Sequence, residues 1–237
     1  MTNYLLSIDP SIKNTGFTLW EKVYKYDKNL NYWPTREYVY CEIHNDENAS
    51  LKIIKECKNC YKNEIIWKPI LITSYCFKKY DNCNFFNEIE DKIDDYCFLD
   101  DFDLIIERGT FHSKNGIGYE TQEHLRGFIA GQFNKLLTKD MLISNTEWWA
   151  YYEENYKEII EILTHEIMNN FIKENNIKNI NINKKIYKKW IIYLKKELSF
   201  KLANYLKDNY NWEPIINNHD EADSLLIGWY YLNKENK

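Results

Sequence analysis

Turn-forming residues are scarce in this chain, which has seven Gly and four Pro in 237 residues. That scarcity argues against a turn-dense all-β architecture and against collagen-like or linker-rich sequence. Long apolar runs are lacking as well. The longest, such as residues 224–232, fall well short of the ~20 residues needed to cross a bilayer. The opening MTNYLLSIDP has no basic n-region and no long apolar stretch, so no secretory signal is visible. These absences lead us to expect a protein of a reducing, cytoplasmic compartment with no membrane partner. Hydrophobic residues at 44% and charged residues at 28% suit a packed core rather than a disordered chain. The length fits one substantial domain with room for an insertion.

An excess of basic residues is also missing overall, since the net charge is −5, which speaks against a polyanionic partner. The average hides an asymmetry. Between Asp81 and Glu107 stand ten acidic residues and one base, Lys92. Between Lys173 and Lys207 stand ten lysines against Glu174 and Glu197. A local surplus of that size can neutralise phosphates whatever the global sum, or it can be one solvated helix face balanced by an acidic one.

Six cysteines in such a compartment are thiols or metal ligands rather than disulfides. Cys57, Cys60, Cys76 and Cys83 follow the spacing C-x2-C-x15-C-x6-C, close to a zinc ribbon but too wide in its second half. A thiolate pair on a turn suits a structural Zn²⁺ that staples a segment lacking its own core. The alternative is four unligated thiols. Cys41 and Cys97 read as small apolar residues in a strand and a helix.

Along the chain, residues 4–8 form an apolar run that stops at Asp9-Pro10, a buried strand ending in a carboxylate. Residues 16–22 and 37–43 are partly alternating and continue an antiparallel meander. From about 45 to 84 the pattern breaks, and the cysteine cluster sits there; we expect an insertion. A short acidic helix over 85–96 precedes a buried strand at 104–106, which ends at Glu107. The helix that follows carries an apolar stripe of Leu125, Phe128, Ile129, Phe133 and Leu136, with Gln132, at a period of 3.6. Residues 141–144 suggest a strand, and 152–174 and 184–208 read as helices. The first belongs to a helical insertion over about 151–183, and the second is basic. Residues 217–219 cap a last helix over 220–233. Strands first, then strands mixed with helices, imply an α/β fold with a mixed sheet.

Carboxylates at the ends of buried strands are costly without compensation. Asp9 and Glu107 both stand at such ends. Asp220 and Asp223, at i and i+3, face one side of the last helix. Four hard oxygen ligands of this kind would suit Mg²⁺ or Mn²⁺.

These segments resemble a known family. SIDPSIKNTGF is similar to the first motif of RuvC-type Holliday junction resolvases, with an Asp after an apolar strand and a Gly seven residues on. LIIERGTF resembles the second motif and HDEADSLLIGWYY the third. GYETQEHLRGFIAGQF resembles the helix between them, including the pair Arg126-Gly127. The cysteine-bearing stretch resembles insertions in resolvase-like proteins of large DNA viruses. Together and in order, the motifs point to the RNase H-like nuclease superfamily more specifically than to junction resolution.

The resemblance implies an RNase H-like mixed five-stranded sheet flanked by helices. It further implies that Asp9, Glu107, Asp220 and Asp223 are catalytic and hold two Mg²⁺ or Mn²⁺ ions per subunit. The expected activity is a symmetric endonucleolytic cut of a four-way DNA junction by a C2 homodimer, leaving 5′-phosphate and 3′-hydroxyl ends. The helix after the second motif would contribute Leu125, Phe128 and Ile129 to the interface. DNA contacts are expected from Lys188, Lys189, Lys195, Lys196 and Arg126. Thr110 stands where the family places an aromatic wedge, and Phe111 follows it, as a displaced wedge or as core. Two rival functions share these features. One is a nuclease acting on flaps, other branched DNA or RNA–DNA hybrids, and the other is a branched-DNA-binding protein that does not cut.

Overall fold

The structure is a computed structural model, and it describes residues 3–11, 13–24, 65–77, 86–97, 102–109, 116–175 and 184–234. The chain divides into two compact units, residues 1–21 with 69–237, and residues 22–68. The described parts of the second unit are the distal end of one strand and the first residues of another.

Five apolar or β-branched segments form one sheet: β1 (Tyr4–Asp9), β2 (Thr15–Tyr24), β3 (Ile65–Tyr75), β4 (Phe102–Arg108) and β5 (Leu142–Ser144). Their order is β3-β2-β1-β4-β5. β2 runs antiparallel to β1, whereas β4 is parallel to β1 and β5 is parallel to β4. This is an α/β fold with a mixed five-stranded sheet flanked by helices, consistent with the broad RNase H-like superfamily fold.

The strand expected over 37–43 lies outside the described residues. β3 instead comes from inside the 45–84 stretch, so the regular sheet resumes at Ile65. Pro69 obscures this strand in the sequence, because proline breaks a central ladder. β3 is the outermost strand of the order, where a missing N–H is tolerated.

Alternation along the strands gives the sheet two different faces. Leu6, Ile8, Phe17, Leu19, Phe102, Leu104 and Ile106 form the core with Leu125 and Ile129 of α2 (Gly116–Gln132) and with Phe133 just beyond it. A short acidic turn, α1 (Asp91–Asp94), adds Ile93, and Cys97 is buried close by. Leu125 and Ile129 are 2% and 0% exposed, so the subunit's own core already covers two of the three residues expected at a dimer interface, and Phe128 is partly buried against the same core. The stripe also ends one turn early. α2 stops at Gln132, Asn134 takes a positive φ of 54°, and Leu136 lies 86% exposed.

The other face is polar at its centre. Ser7 of β1 donates to the Ser224 carbonyl at 2.8 Å, and the Thr18 and Ser224 hydroxyls are 2.8 Å apart. Ser224 belongs to α6 (His219–Asn233), which therefore lies directly over β1 and β2. A Cβ on Gly228 would collide with Ser7 Oγ and the Trp20 indole, so only glycine allows this approach.

The helical stretch expected to begin at 152 starts earlier and is two helices, α3 (Asn145–Asn155) and α4 (Lys157–Glu174). Ser144 and Glu147 form a capping box that sets the start. Tyr156 breaks the run at φ −127° and ψ 26°, and its hydroxyl accepts a hydrogen bond from the Trp229 indole at 3.1 Å. α5 (Lys184–Tyr210) packs against α4 through Trp190, Leu198, Ile167 and Phe171. Among the described residues, no helix is long and apolar enough to cross a membrane.

Candidate active site

The register of the sheet brings the first two acids together. Ile8 pairs with Ile106 across the parallel β1–β4 ladder, so Asp9 and Glu107 are the next residues on adjacent strands, which run ~5 Å apart. By the same alternation both side chains face α6. Asp9 is 9% exposed and shares a hydrogen bond with the Glu107 carboxyl.

Gly16 brings in the helix. It pairs with Asp9 across the β1–β2 ladder, and a Cβ on it would overlap the Asp220 backbone carbonyl. The first turn of α6 thus rests on β2 beside Asp9. Asn218 caps that turn by accepting from the Glu221 N–H at 3.0 Å, a contact worth ~1 kcal/mol. The Glu221 carboxylate is spent on structure. It accepts from the Asn217 N–H at 2.7 Å and from the Ser74 hydroxyl at 2.9 Å, and it is 3% exposed.

The acids act on one another's charge. Burial, then the charges of Glu107, Asp223 and Asp220, push the Asp9 carboxyl well above its ordinary range. Burial raises Asp223 to about 8, with Glu107 and Asp220 adding to the effect and a hydrogen bond from Ser199 of α5 opposing it. Asp223 Oδ1 is buried with no hydrogen-bond partner. A buried carboxylate oxygen without a donor is a costly arrangement. Nevertheless, no group of three or more His, Cys, Asp or Glu side chains among the described residues has the geometry of a metal centre. The chain brings four carboxylates into mutual range without closing them into a cage. Their chemistry fits a hard divalent cation, because every donor is oxygen and one of them is orphaned.

The supports around these acids escaped sequence reading. Asn145 Nδ2 and Trp148 Nε1, one turn apart on α3, both donate to Glu107 Oε1, at 3.0 and 3.2 Å. Asn14 Nδ2 donates to Asp220 Oδ2 at 2.9 Å. The capping box at Ser144 was the one available signal, since it starts α3 at the residue paired with Arg108.

The remaining expected residues divide. Lys188, Lys189, Lys195 and Lys196 are all exposed on α5. At ~100° per residue they share roughly a third of the helix circumference. Lys189 Nζ donates to Asn175 Oδ1. Ser199 lies one turn beyond Lys195 and Lys196 on the same helix, and its hydroxyl donates to the Lys196 carbonyl at 3.1 Å. Arg126 does not fit the DNA contact expected of it. It is 1% exposed, and its guanidinium donates to the Glu107 carbonyl at 2.6 Å and to Glu123 at 2.8 Å. Phe111, Cys57, Cys60 and Cys83 lie outside the described residues, and Cys76 is half-buried as a free thiol after β3.

Comparison with protein-family models gives no match, and neither does comparison with curated protein sequences. The fold is compatible with a nuclease-type RNase H-like enzyme in general.

A cleft of about 570 Å³ opens at the β5 edge, lined by Arg108, Lys139, Lys234, Tyr119 and Tyr230 together with acidic residues. Hydrogen bonds from Ser144 lower the Glu147 carboxyl, and the nearby charges of Lys234 and Arg108 lower it further. Those two cations thus converge on the cleft.

Proposed function

We propose that this protein is a Mg²⁺- or Mn²⁺-dependent, structure-selective DNA endonuclease that resolves four-way junctions by phosphodiester hydrolysis, leaving 5′-phosphate and 3′-hydroxyl ends. The supporting observation is the convergence of Asp9, Glu107 and Asp223 at the C-terminal ends of β1 and β4, with Asp220 at the mouth. The residues that would hold the cations are Asp9, Glu107 and Asp223, with Asp220 completing the set. A bound divalent pair would supply an activated water and neutralise charge on the scissile phosphate. Asn145 and Trp148 orient Glu107, and Asn14 orients Asp220. Burial of Asp9 and of Asp223 Oδ1 keeps both oxygens dry and strengthens their pull on a cation.

The exposed lysines of α5 supply sequence-independent affinity for a phosphate backbone, and Arg108, Lys139 and Lys234 extend it along the β5 edge. A four-way junction has two-fold symmetry, which fits a C2 dimer with one site per subunit. Cys57, Cys60, Cys76 and Cys83 belong in this reading to a zinc-stapled insertion.

Nicking of a synthetic four-way junction, a flap and an RNA–DNA hybrid, with and without Mg²⁺, tests the proposal. We expect paired nicks in the junction and none in EDTA, and Asp9→Asn should bind the junction without cutting it. Cutting by Asp9→Asn would refute the site. Preference for the flap or hybrid would keep the nuclease and discard the junction. Binding of every branched substrate with no cut would favour a binding protein.

A further inference from the structure

Arg126 has no part in the chemistry above, yet it is among the largest fully buried side chains of the protein. An arginine removed from water needs specific compensation. Its Nε donates to the Glu107 backbone carbonyl at 2.6 Å, and its Nη1 pairs with Glu123 at 2.8 Å. The guanidinium also fills the space beside Gly109, where a Cβ would stand 2.7 Å from Nη1. The group therefore sits beneath the backbone where β4 leaves the sheet, spanning residues 107 to 109. Its charge lies within range of both Glu107 and Asp9.

We propose that Arg126 is a positioning residue for the acid site. It fixes the peptide that carries Glu107 and supplies a permanent countercharge under the carboxylates, so that they remain close enough to receive a divalent cation. This inference rests on the nuclease reading of the same acids. It replaces the expected DNA contact with a role toward the metal. Partners of metal ligands that act from behind them change affinity by roughly 10- to 100-fold when removed.

Calorimetric Mn²⁺ titration of the full chain tests it, alongside junction binding in Ca²⁺ and a thermal melt. In Arg126→Met we expect Mn²⁺ affinity to fall at least about tenfold while junction affinity holds, and Arg126→Lys should recover part of the loss. Gly109→Ala guards against a variant that fails to fold. Its φ is not positive, and its new methyl meets only the far end of a flexible side chain, so the fold should survive with the guanidinium displaced. We expect Gly109→Ala to weaken Mn²⁺ in the same sense, and the double variant to be no worse than Arg126→Met alone. Unchanged Mn²⁺ affinity in Arg126→Met or Gly109→Ala overturns the inference. Reduced junction binding with intact Mn²⁺ affinity restores the DNA contact and overturns it too. Wild-type protein and Asp9→Asn separate this outcome from failure of the nuclease reading. If wild type takes up no Mn²⁺, the acid site itself is wrong.

Discussion

Replacing Asp223 with Asn should stabilise the protein in the absence of divalent cations, because the wild-type side chain carries a charge in a place that resists it. Burial is the largest cause of the rise from an ordinary 3.8 to about 8, ahead of the charges of Glu107 and Asp220. At about 1.4 kcal/mol per pKa unit, that interval caps the penalty at about 6 kcal/mol. Relaxation and water penetration lower the effective cost of a buried ion, and the Ser199 hydrogen bond is weakened in the variant. We therefore expect Asp223→Asn to gain about 2 kcal/mol. The sign with pH follows from proton linkage. The folded state holds the Asp223 proton more tightly than the unfolded chain does, so this group's contribution is fully present below about 3.8 and is lost as pH rises through about 8. Urea denaturation in EDTA across that window should show wild type losing stability toward alkaline pH and Asp223→Asn losing less of it. Excess Mg²⁺ at pH ~8 should then restore wild type and leave the variant unmoved, since a cation that binds only the folded state stabilises it. An Asn variant less stable than wild type in EDTA at that pH would refute the reasoning. So would a stability difference that does not change with pH.

Three further outcomes are expected. Reversing Lys188 and Lys195 to Glu, singly, should weaken junction binding about equally across sequences and reduce the salt slope by about one each; an unchanged slope in gel-shift titrations removes the α5 face from the interface. Gly16→Ala should cost at least about 1–3 kcal/mol in denaturant melts, because its methyl would meet the Asp220 backbone, which cannot swing aside as a side chain can. Trp148→Phe deletes one donor to Glu107 Oε1 and leaves a small void at a fully buried indole, so cutting should slow by the equivalent of about 1.5–3 kcal/mol with a lowered melting temperature; full activity at a temperature where the variant is folded would show that Asn145 alone suffices.

The parts of the fold legible in the sequence were those in which a single segment carries its own signal. Residues 4–8 are apolar but for Ser7, and they form β1 up to Asp9. The Asn218 cap and the apolar α6 that follows could be read from 217–233 to within a residue. β3 was hidden because its cue, freedom from proline, holds only for strands paired on both sides. The break at Tyr156 was hidden because no Gly or Pro marks it and its partner, Trp229, is far along the chain. The carboxylates could be found because each stands at a strand end or a helix start, whereas their supports could not. Asn14, Asn145, Trp148 and Ser199 become recognisable only when the strands are in register, and each looks like an ordinary polar or core residue in isolation. Arg126 shows the same limit in reverse. Its charge suggested a solvent-facing contact, and only packing places it under β4.

The two faces of the sheet explain how acids this expensive are held at all. On the α2 side, large aliphatic and aromatic residues from four strands bury one another and stabilise the sheet. On the α6 side, the small residues Ser7, Thr18, Ser224 and Gly228 let helix and sheet approach closely, with each hydroxyl satisfied by a partner across the seam. That close approach is what carries Asp220 and Asp223 to the ends of β1 and β4. A bulkier seam would lift the helix and separate the carboxylates, which would relieve their repulsion and stabilise the metal-free fold. The core on one face thus holds in place a destabilised cluster on the other. Buried carboxylates with titration this perturbed, gathered at one end of a sheet, mark that end as the candidate functional site.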